Sequence, residues 1–173
     1  VGSEMCIRDR INDGFNTGSD CLYSGTVAGA LEGIFAGIPS MAVSMESMAD
    51  GTLLRETAAF AADLVSGYFM KKRYTGILNV NIPKIKPEKV SWENVKVARL
   101  GLLRYSNVIA EKRTKADEME FIMRGKPLER YEPETDVYWS RKGYITITPL
   151  QWNQTDFENL REVGKLTAAF IDA

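Results

Sequence analysis

The stretch from Ile11 to Val27, INDGFNTGSDCLYSGTV, crowds amide, carboxylate, hydroxyl and glycine residues into one turn-rich loop that runs into an apolar helical pattern. A polar loop feeding a helix N-terminus is a ready place for an anion or for a metal held by oxygen. Asn12 and Asn16 are the candidate oxygen donors, because an amide oxygen is a neutral ligand that completes a cation site whose charge comes from carboxylates. Ser24, Gly25 and Thr26 stand where the helix begins, and the free N–H groups there, with two hydroxyls, suit the oxygens of a phosphate. The loop alone leaves a plainer reading open: both Asn satisfy Asx-turns beside Gly14 and Gly18, Ser24 is an ordinary N-cap, Asp13 and Asp20 are turn or capping residues, and Cys21 is a small buried side chain.

Other chemistries are excluded by residue type. The chain of 173 residues contains no histidine, which removes Ser-His-Asp and Cys-His catalysis and most zinc and iron sites, and leaves hard cations such as Mg²⁺, Mn²⁺ or Ca²⁺. A calcium loop started at Asp9 fails, since Ile11 falls at its third position and Asp20 at its twelfth, where Glu is wanted. No Lys follows a glycine-rich turn, so there is no P-loop. A net charge of −1 with both signs interspersed gives no footprint for a nucleic-acid polymer or an anionic membrane. Arg99, Arg104, Arg113 and Arg141 are within the repertoire of phosphate ligands, but solvated surface is the ordinary place for each. Cys6 and Cys21 make no CxxC and no disulfide framework, which points to a reducing, cytoplasmic setting, and no apolar run is long enough to span a membrane.

The elements that must position the loop follow from periodicity. A 45% apolar chain of this length fits one domain with a core. Val1–Arg10 fits neither period and reads as a non-native leader, such as a translated adapter, to be kept out of fold reasoning. Gly25–Gly37 reads as a helix whose glycines at 25, 29, 33 and 37 line one face, an arrangement that close backbone approach would repay. Met41–Met45 reads as a short buried strand and Thr52–Met70 as a second helix started by Asp50 or Thr52. Ile77–Ile82 and Val95–Leu100 alternate with period two, which argues a strand at each. Residues 101–140 are charged and poorly periodic and suit a hairpin arm for oligomerisation, leaving 11–100 and 141–173 as the core. Tyr144–Leu150 is a strand, and Thr155 with Glu158 forms a capping box for a last helix with the stripe Leu160, Val163, Leu166 and Phe170. This rhythm is that of an α/β sheet protein, with loop 12–26 at the carboxyl ends of strands, where such sheets bind ligands.

With these residues laid out, the chain resembles the SurE family of acid-phosphatase-like nucleotidases. The match runs through N-x-G-x-N-x-G at Asn12–Gly18, Tyr23-Ser24-Gly25-Thr26-Val27, Glu32-Gly33, Gly37-Ile38-Pro39-Ser40, Ile77-Leu78-Asn79-Val80-Asn81-Ile82-Pro83, Arg104-Tyr105 and Gly143–Leu150, in order, over residues 11 to about 155. The resemblance implies a Rossmann-like three-layer α/β/α fold with a protruding β-hairpin arm, here lacking its first strands, and homo-oligomers (dimers or tetramers) built partly by exchange of C-terminal segments. It implies hydrolysis of nucleoside 5′- and 3′-monophosphates with one divalent cation, Mn²⁺ or Mg²⁺, per subunit. The family's cation is held by two consecutive Asp, a Ser and the first Asn of the loop; that Asn corresponds to Asn12. Asn16 and Ser24-Gly25-Thr26 correspond to the phosphate pocket.

The departures matter as much. The Asp-Asp pair and the Ser belong upstream of Ile11, Arg10 stands where the family has Gly, Asn153 stands near where an Asp follows Thr-Pro-Leu, and Pro133-Glu134-Thr135-Asp136 replaces a Gly-Thr-Asp. The expectation is therefore an N-terminally truncated, inactive fragment of a metal-dependent phosphomonoesterase. The alternative is a non-catalytic nucleotide- or anion-binding or oligomerisation module.

Overall fold

The computed structural model describes residues 11–46, 50–106, 109–113, 119–123, 125–128 and 131–171; the leader expected at Val1–Arg10 lies outside them. In chain order the elements are β1 (Asn12–Asp13), a 3₁₀ turn (Gly18–Tyr23), α1 (Gly25–Phe35), β2 (Ser40–Met45), α2 (Gly51–Leu64) widening into a π-helix (Val65–Lys71), β3 (Ile77–Ile82), β4 (Val95–Val97), β5 (Tyr105–Ser106), β6 (Ile109–Arg113), β7 (Met119–Met123), β8 (Lys126–Pro127), α3 (Asp136–Arg141), β9 (Ile145–Leu150) and α4 (Phe157–Ile171).

Five strands form one sheet in the order β1-β2-β3-β9-β4. The first three run parallel, β9 runs antiparallel to β3, and β4 runs parallel to β9. Beyond it, β5 pairs with β8 and β6 with β7, both antiparallel, the latter as the expected hairpin. The two faces of the sheet differ in chemistry. Met45, Leu78, Val80, Ile82, Ile145 and Ile147 pack with Leu53, Phe60 and Leu64 of α2 into the main apolar cluster. On the opposite face Ala42 and Ile77 meet Val27 and Ala30 of α1, with Cys21. Helices on both faces of a largely parallel sheet are the α/β arrangement that the periodicity predicted.

Ile77–Ile82 is a strand, as its alternation predicts, with all six residues buried and Asn79 and Asn81 0% exposed. A strand in the middle of a sheet with helices on both sides has no solvent face, so its polar residues point at protein. The edge strand ends at Val97 rather than Leu100, although the Ala98 amide still donates to the Ile147 carbonyl at 3.1 Å. The glycine stripe of α1 is not a packing face. Cβ atoms added at Gly25, Gly29 and Gly37 would meet nothing, and only Gly33 lies hard against another residue, Ser40. The cap of α4 is Asp156, whose Oδ1 accepts from the Asn159 amide at 3.0 Å; Thr155 instead donates its own amide to Asn153. Leu160 and Val163 of the expected α4 stripe are exposed, and the side chains of Leu166 and Phe170 lie outside the described residues.

Asp50 caps α2 as expected, its Oδ1 accepting from the amides of Thr52 and Leu53. Among the described residues no helix is long and apolar enough to cross a membrane. Because Leu64 is 0% exposed in the cluster between α2 and the sheet, Leu64→Ala is expected to lower the unfolding free energy by about 2–5 kcal/mol in a urea titration. A loss under about 1 kcal/mol would contradict the packing.

Candidate active site

The polar face of the sheet lies under the opening loop. Register places Asn12 opposite Ser44, Ser44 opposite Asn81, and Asn81 opposite Thr146, so one row of polar side chains crosses four strands on a single face. Ser44, Asn81 and Thr146 are 0% exposed. In β1, β2 and β3 the row lies toward the carboxyl ends, where the crevice of an open α/β sheet forms.

Asn16 is where this row meets the loop. Its amide N–H donates to Asn81 Oδ1 at 2.8 Å, and its carbonyl accepts from Asn79 Nδ2 at 2.7 Å, Asn81 Nδ2 at 3.1 Å and the Cys21 thiol at 3.2 Å. Its side-chain Nδ2 donates to Ser44 Oγ at 2.6 Å. Asn81 therefore treats the backbone of residue 16 as a neighbouring strand would, one side-chain amide satisfying both N–H and C=O. The Asx-turn reading does not describe Asn16, whose partners lie on distant strands. Asn12 does bond locally, but with its Nδ2 donating to the Gly14 carbonyl at 2.8 Å rather than its oxygen accepting as in an Asx-turn.

A second strut holds the same loop from the other side. Asp136 is 0% exposed at the start of α3, and its carboxylate accepts from the amides of Gly18 at 2.7 Å, Gly101 at 2.8 Å and Val137 at 2.8 Å. Burial raises its pKa, and those backbone amides oppose the rise. Gly18 sits at φ +54°, where an added Cβ would come 2.5 Å from the Gly101 carbonyl oxygen, so the close approach of the two loops requires glycine there. Asp20 lies in the 3₁₀ turn as a turn residue, and its carboxylate accepts from the Tyr105 hydroxyl of the β5–β8 pair.

The remaining residues singled out in the sequence fall as follows. Ser24 is the N-cap of α1, its Oγ accepting from the Val27 amide at 3.1 Å, with Gly25 and Thr26 in the first turn behind it. Asn12 and Asn16 are brought together through Ser44; no hydrogen bond among the described residues joins Asn12 to Ser24, Gly25 or Thr26. Arg99 is engaged on the surface by Glu132 at 2.5 Å, and Arg141 lies 5.8 Å from the Tyr131 ring. Asn79, Asn81, Ser44 and Asp136 carry the loop, and residue-by-residue reading assigned none of them a role. The signal was present for the asparagines, since Asn is depleted in strands and two in one apolar run call for a reason.

As for a metal, no group of three or more His, Cys, Asp or Glu among the described residues could hold one. Asn12 supplies a single neutral amide oxygen, which does not fit a dication by itself.

Beside this site, between α1 and the ends of β4 and β9, lies a cleft of about 860 Å³ whose wall includes Cys21, Ser24, Leu31, Leu100, Thr148 and Leu150.

A mixed sheet with helices on both faces and a loop pinned at the carboxyl ends of its parallel strands defines an α/β protein of the Rossmann-like kind. Comparison with known proteins makes this specific. Residues 10–107 match the family model described as Survival protein SurE. The chain is 37% identical over 158 residues to the 5'-nucleotidase SurE of Pelotomaculum thermopropionicum, covering 90% of this chain and 59% of that protein. It is 35% identical over 164 residues to the 5'-nucleotidase SurE of Syntrophomonas wolfei, covering 92% and 61%. The crystal structure of the SurE protein from Aquifex aeolicus superimposes with a TM-score of 0.74 at 30% identity, covering 91% of this chain and 63% of that one. The chain belongs to the SurE family, and it spans about three fifths of the length of these relatives.

Cys21 tests the site's interior electrostatically. Burial first, then the charges of Asp136 and Asp20, push its thiol up to about 12 from 9.0. A raised folded pKa stabilises fully below the unfolded value and is lost as pH rises, so the contribution is complete below pH 9 and disappears between about 9 and 12. The native Cys21 peptide is accordingly expected to resist iodoacetamide at pH 9 and to be alkylated rapidly in urea, as read by mass spectrometry. Equal rates in the two states would contradict the buried, neutral thiol.

Proposed function

We propose that this chain carries the phosphate-binding half of a phosphomonoesterase site acting on nucleoside 5′- and 3′-monophosphates. The observation that supports it most is Asn16, fastened through backbone and side chain to Asn79, Asn81 and Ser44 in the loop that leads to the α1 N-terminus. Such fastening fixes where the Asn16 amide group and the N–H groups of Gly25 and Thr26 point before a ligand arrives, and donors already aimed cost no reorganisation at the moment of reaction. The helix dipole favours the anion at the same place. Relatives named 5'-nucleotidase SurE support the nucleotide as the substrate class.

The family's divalent cation, Mn²⁺ or Mg²⁺, would neutralise charge on the phosphoryl group. Among the described residues of this chain, Asn12 would contribute to holding it. One neutral amide does not retain a dication against its hydration. The 173-residue polypeptide alone is therefore expected to bind phosphate without turning over a nucleotide. In a cytoplasmic homo-oligomer, a dimer or tetramer, the exposed apolar residues Phe157, Leu160 and Val163 of α4 would be covered. The same neutral donor set favours, as a second reading, a non-catalytic anion-binding module.

Titration of the ¹⁵N-labelled chain with inorganic phosphate tests this. Shifts are expected at the amides of Gly25 and Thr26, with Asn16→Ala weakening the affinity by about tenfold, the worth of one hydrogen bond to a charged group. No phosphate is expected to be released from AMP in Mn²⁺. Absence of any shift would remove the phosphate site, and Mn²⁺-dependent turnover lost in Asn12→Ala would show that the chain holds its cation unaided.

A further inference from the structure

We propose that Tyr105 is a positioning residue for the phosphate loop. It joins the root of the hairpin arm to the turn that leads into α1, so that the seat of the arm sets where the α1 N-terminus points. The joint stands on contacts within the chain; that its output is phosphate binding rests on the reading proposed above.

The turn Gly18–Asp20 and the segment Gly101–Tyr105 meet residue by residue. Asp136 holds the amides of Gly18 and Gly101, one on each carboxylate oxygen. The Ser19 hydroxyl donates to the Leu103 carbonyl and accepts from the Leu103 amide, both at 3.1 Å. The Tyr105 hydroxyl donates to the Asp20 carboxylate. Three consecutive turn residues therefore engage every second residue of the segment, while Leu102 and Arg104 between them are exposed. Alternate residues of an extended chain share a face, and this face is turned to the loop.

The first two contacts belong to the core, since Gly101 and Leu103 are buried. The third belongs to the arm. Tyr105 opens β5, stands opposite Pro127 of β8 and is 39% exposed. Its backbone is tied to β8 by the Leu128 amide, which donates to the Arg104 carbonyl at 2.8 Å. Its side chain is seated on the same root: a Cβ added at Gly125, just before β8, would come 2.7 Å from the Tyr105 Cβ, so the absence of a side chain at 125 makes the room. The ring rests on the arm and its hydroxyl on the loop. Burial first, then the bond to Asp20, push the Tyr105 pKa up to about 12, which keeps the phenol a donor through the neutral range.

Chain order decides what the joint moves. Asn16 is fixed to β3, two residues before the turn begins. At the other end, Ser24 caps α1, and its amide donates back to the Cys21 carbonyl of the 3₁₀ turn at 3.3 Å. A short hydrogen-bonded turn passes a displacement of Asp20 on to Gly25 and Thr26, while Asn16 stays with the sheet. The spacing between the two sets of proposed phosphate donors then depends on the arm.

A double-mutant cycle in the full chain tests this, with Gly125→Ala on the arm and Tyr105→Phe at the joint, read by ¹⁵N amide shifts and by titration with inorganic phosphate. Neither substitution changes a charge, so an altered affinity reports position. Gly125→Ala presses on the Tyr105 ring from the arm side. It is expected to shift the amides of Gly18, Ser19 and Asp20 and to weaken phosphate binding by about threefold or more, and Tyr105→Phe to do the same. In the double variant Gly125→Ala is expected to add little, because the hydroxyl that carries the displacement is gone. Two independent structural roles would instead give additive losses. Additivity overturns the proposal, as do loop amides that Gly125→Ala leaves in place. If Gly125→Ala unpairs β5 from β8, seen as lost exchange protection at the Leu128 amide, Tyr105→Phe decides alone, and unchanged Gly18–Asp20 amides or an unchanged phosphate affinity overturns the proposal. A wild-type chain that binds no phosphate removes the phosphatase reading only, and the amide shifts of the cycle then decide the joint.

Discussion

The structure of the site depends on a pair of buried asparagine side chains gripping the backbone of a loop. Asn79 and Asn81 lie in a strand with no exposed residue, and together they satisfy the N–H and C=O of Asn16. An amide group buried without partners costs a few kcal/mol. Each side therefore needs the other: the loop pairs both groups of the Asn81 side chain and the nitrogen of Asn79, and the asparagines fix the loop. The consequence is local, because the same loop carries Asn12 at one end and runs into the N-terminus of α1 at the other.

The grip works because the loop is also held from behind. Asp136 reaches from α3 to the Gly18 and Gly101 amides, so the segment is trapped between the polar row of the sheet and the loop that follows β4. Among the described residues it is backbone amides that balance the burial of this carboxylate, and the pKa rises because they do so incompletely. The cysteine between the two struts remains protonated for related reasons, first its burial and then the neighbouring carboxylates. The apolar face of the sheet, packed on α2, plays no part in this chemistry and supplies the stability on which the polar face relies.

Much of the scaffold was legible in the residues. The strands at Met41–Met45, Ile77–Ile82 and Tyr144–Leu150 and the helices that follow Ser24 and Asp50 announced themselves by period, composition and caps, which are local signals. What periodicity could not reveal was which strands lie in the middle. An alternating strand is half-exposed at the surface of a sheet and fully buried between two layers of helices, and only the tertiary arrangement decides between them. For that reason nothing in the alternation showed Asn79 and Asn81 to be buried, although the resemblance to the SurE family had already drawn attention to the segment. Asp136, 118 positions from the amide it holds, lay in a charged stretch that read as an exposed arm. The glycines of α1 misled in the opposite direction: their spacing suggested close packing, and only Gly33 has a close neighbour.

Amide hydrogen exchange at Asn16 tests this account most directly. If the asparagines of β3 hold the loop, the Asn16 N–H exchanges as slowly as a strand amide, and Asn81→Leu accelerates it by about tenfold or more while the amides of Val80 and Ile147 keep their protection. A wild-type Asn16 amide that exchanges at the rate of an open loop, or one that Asn81→Leu leaves unchanged, would contradict the claim that the buried strand organises the site.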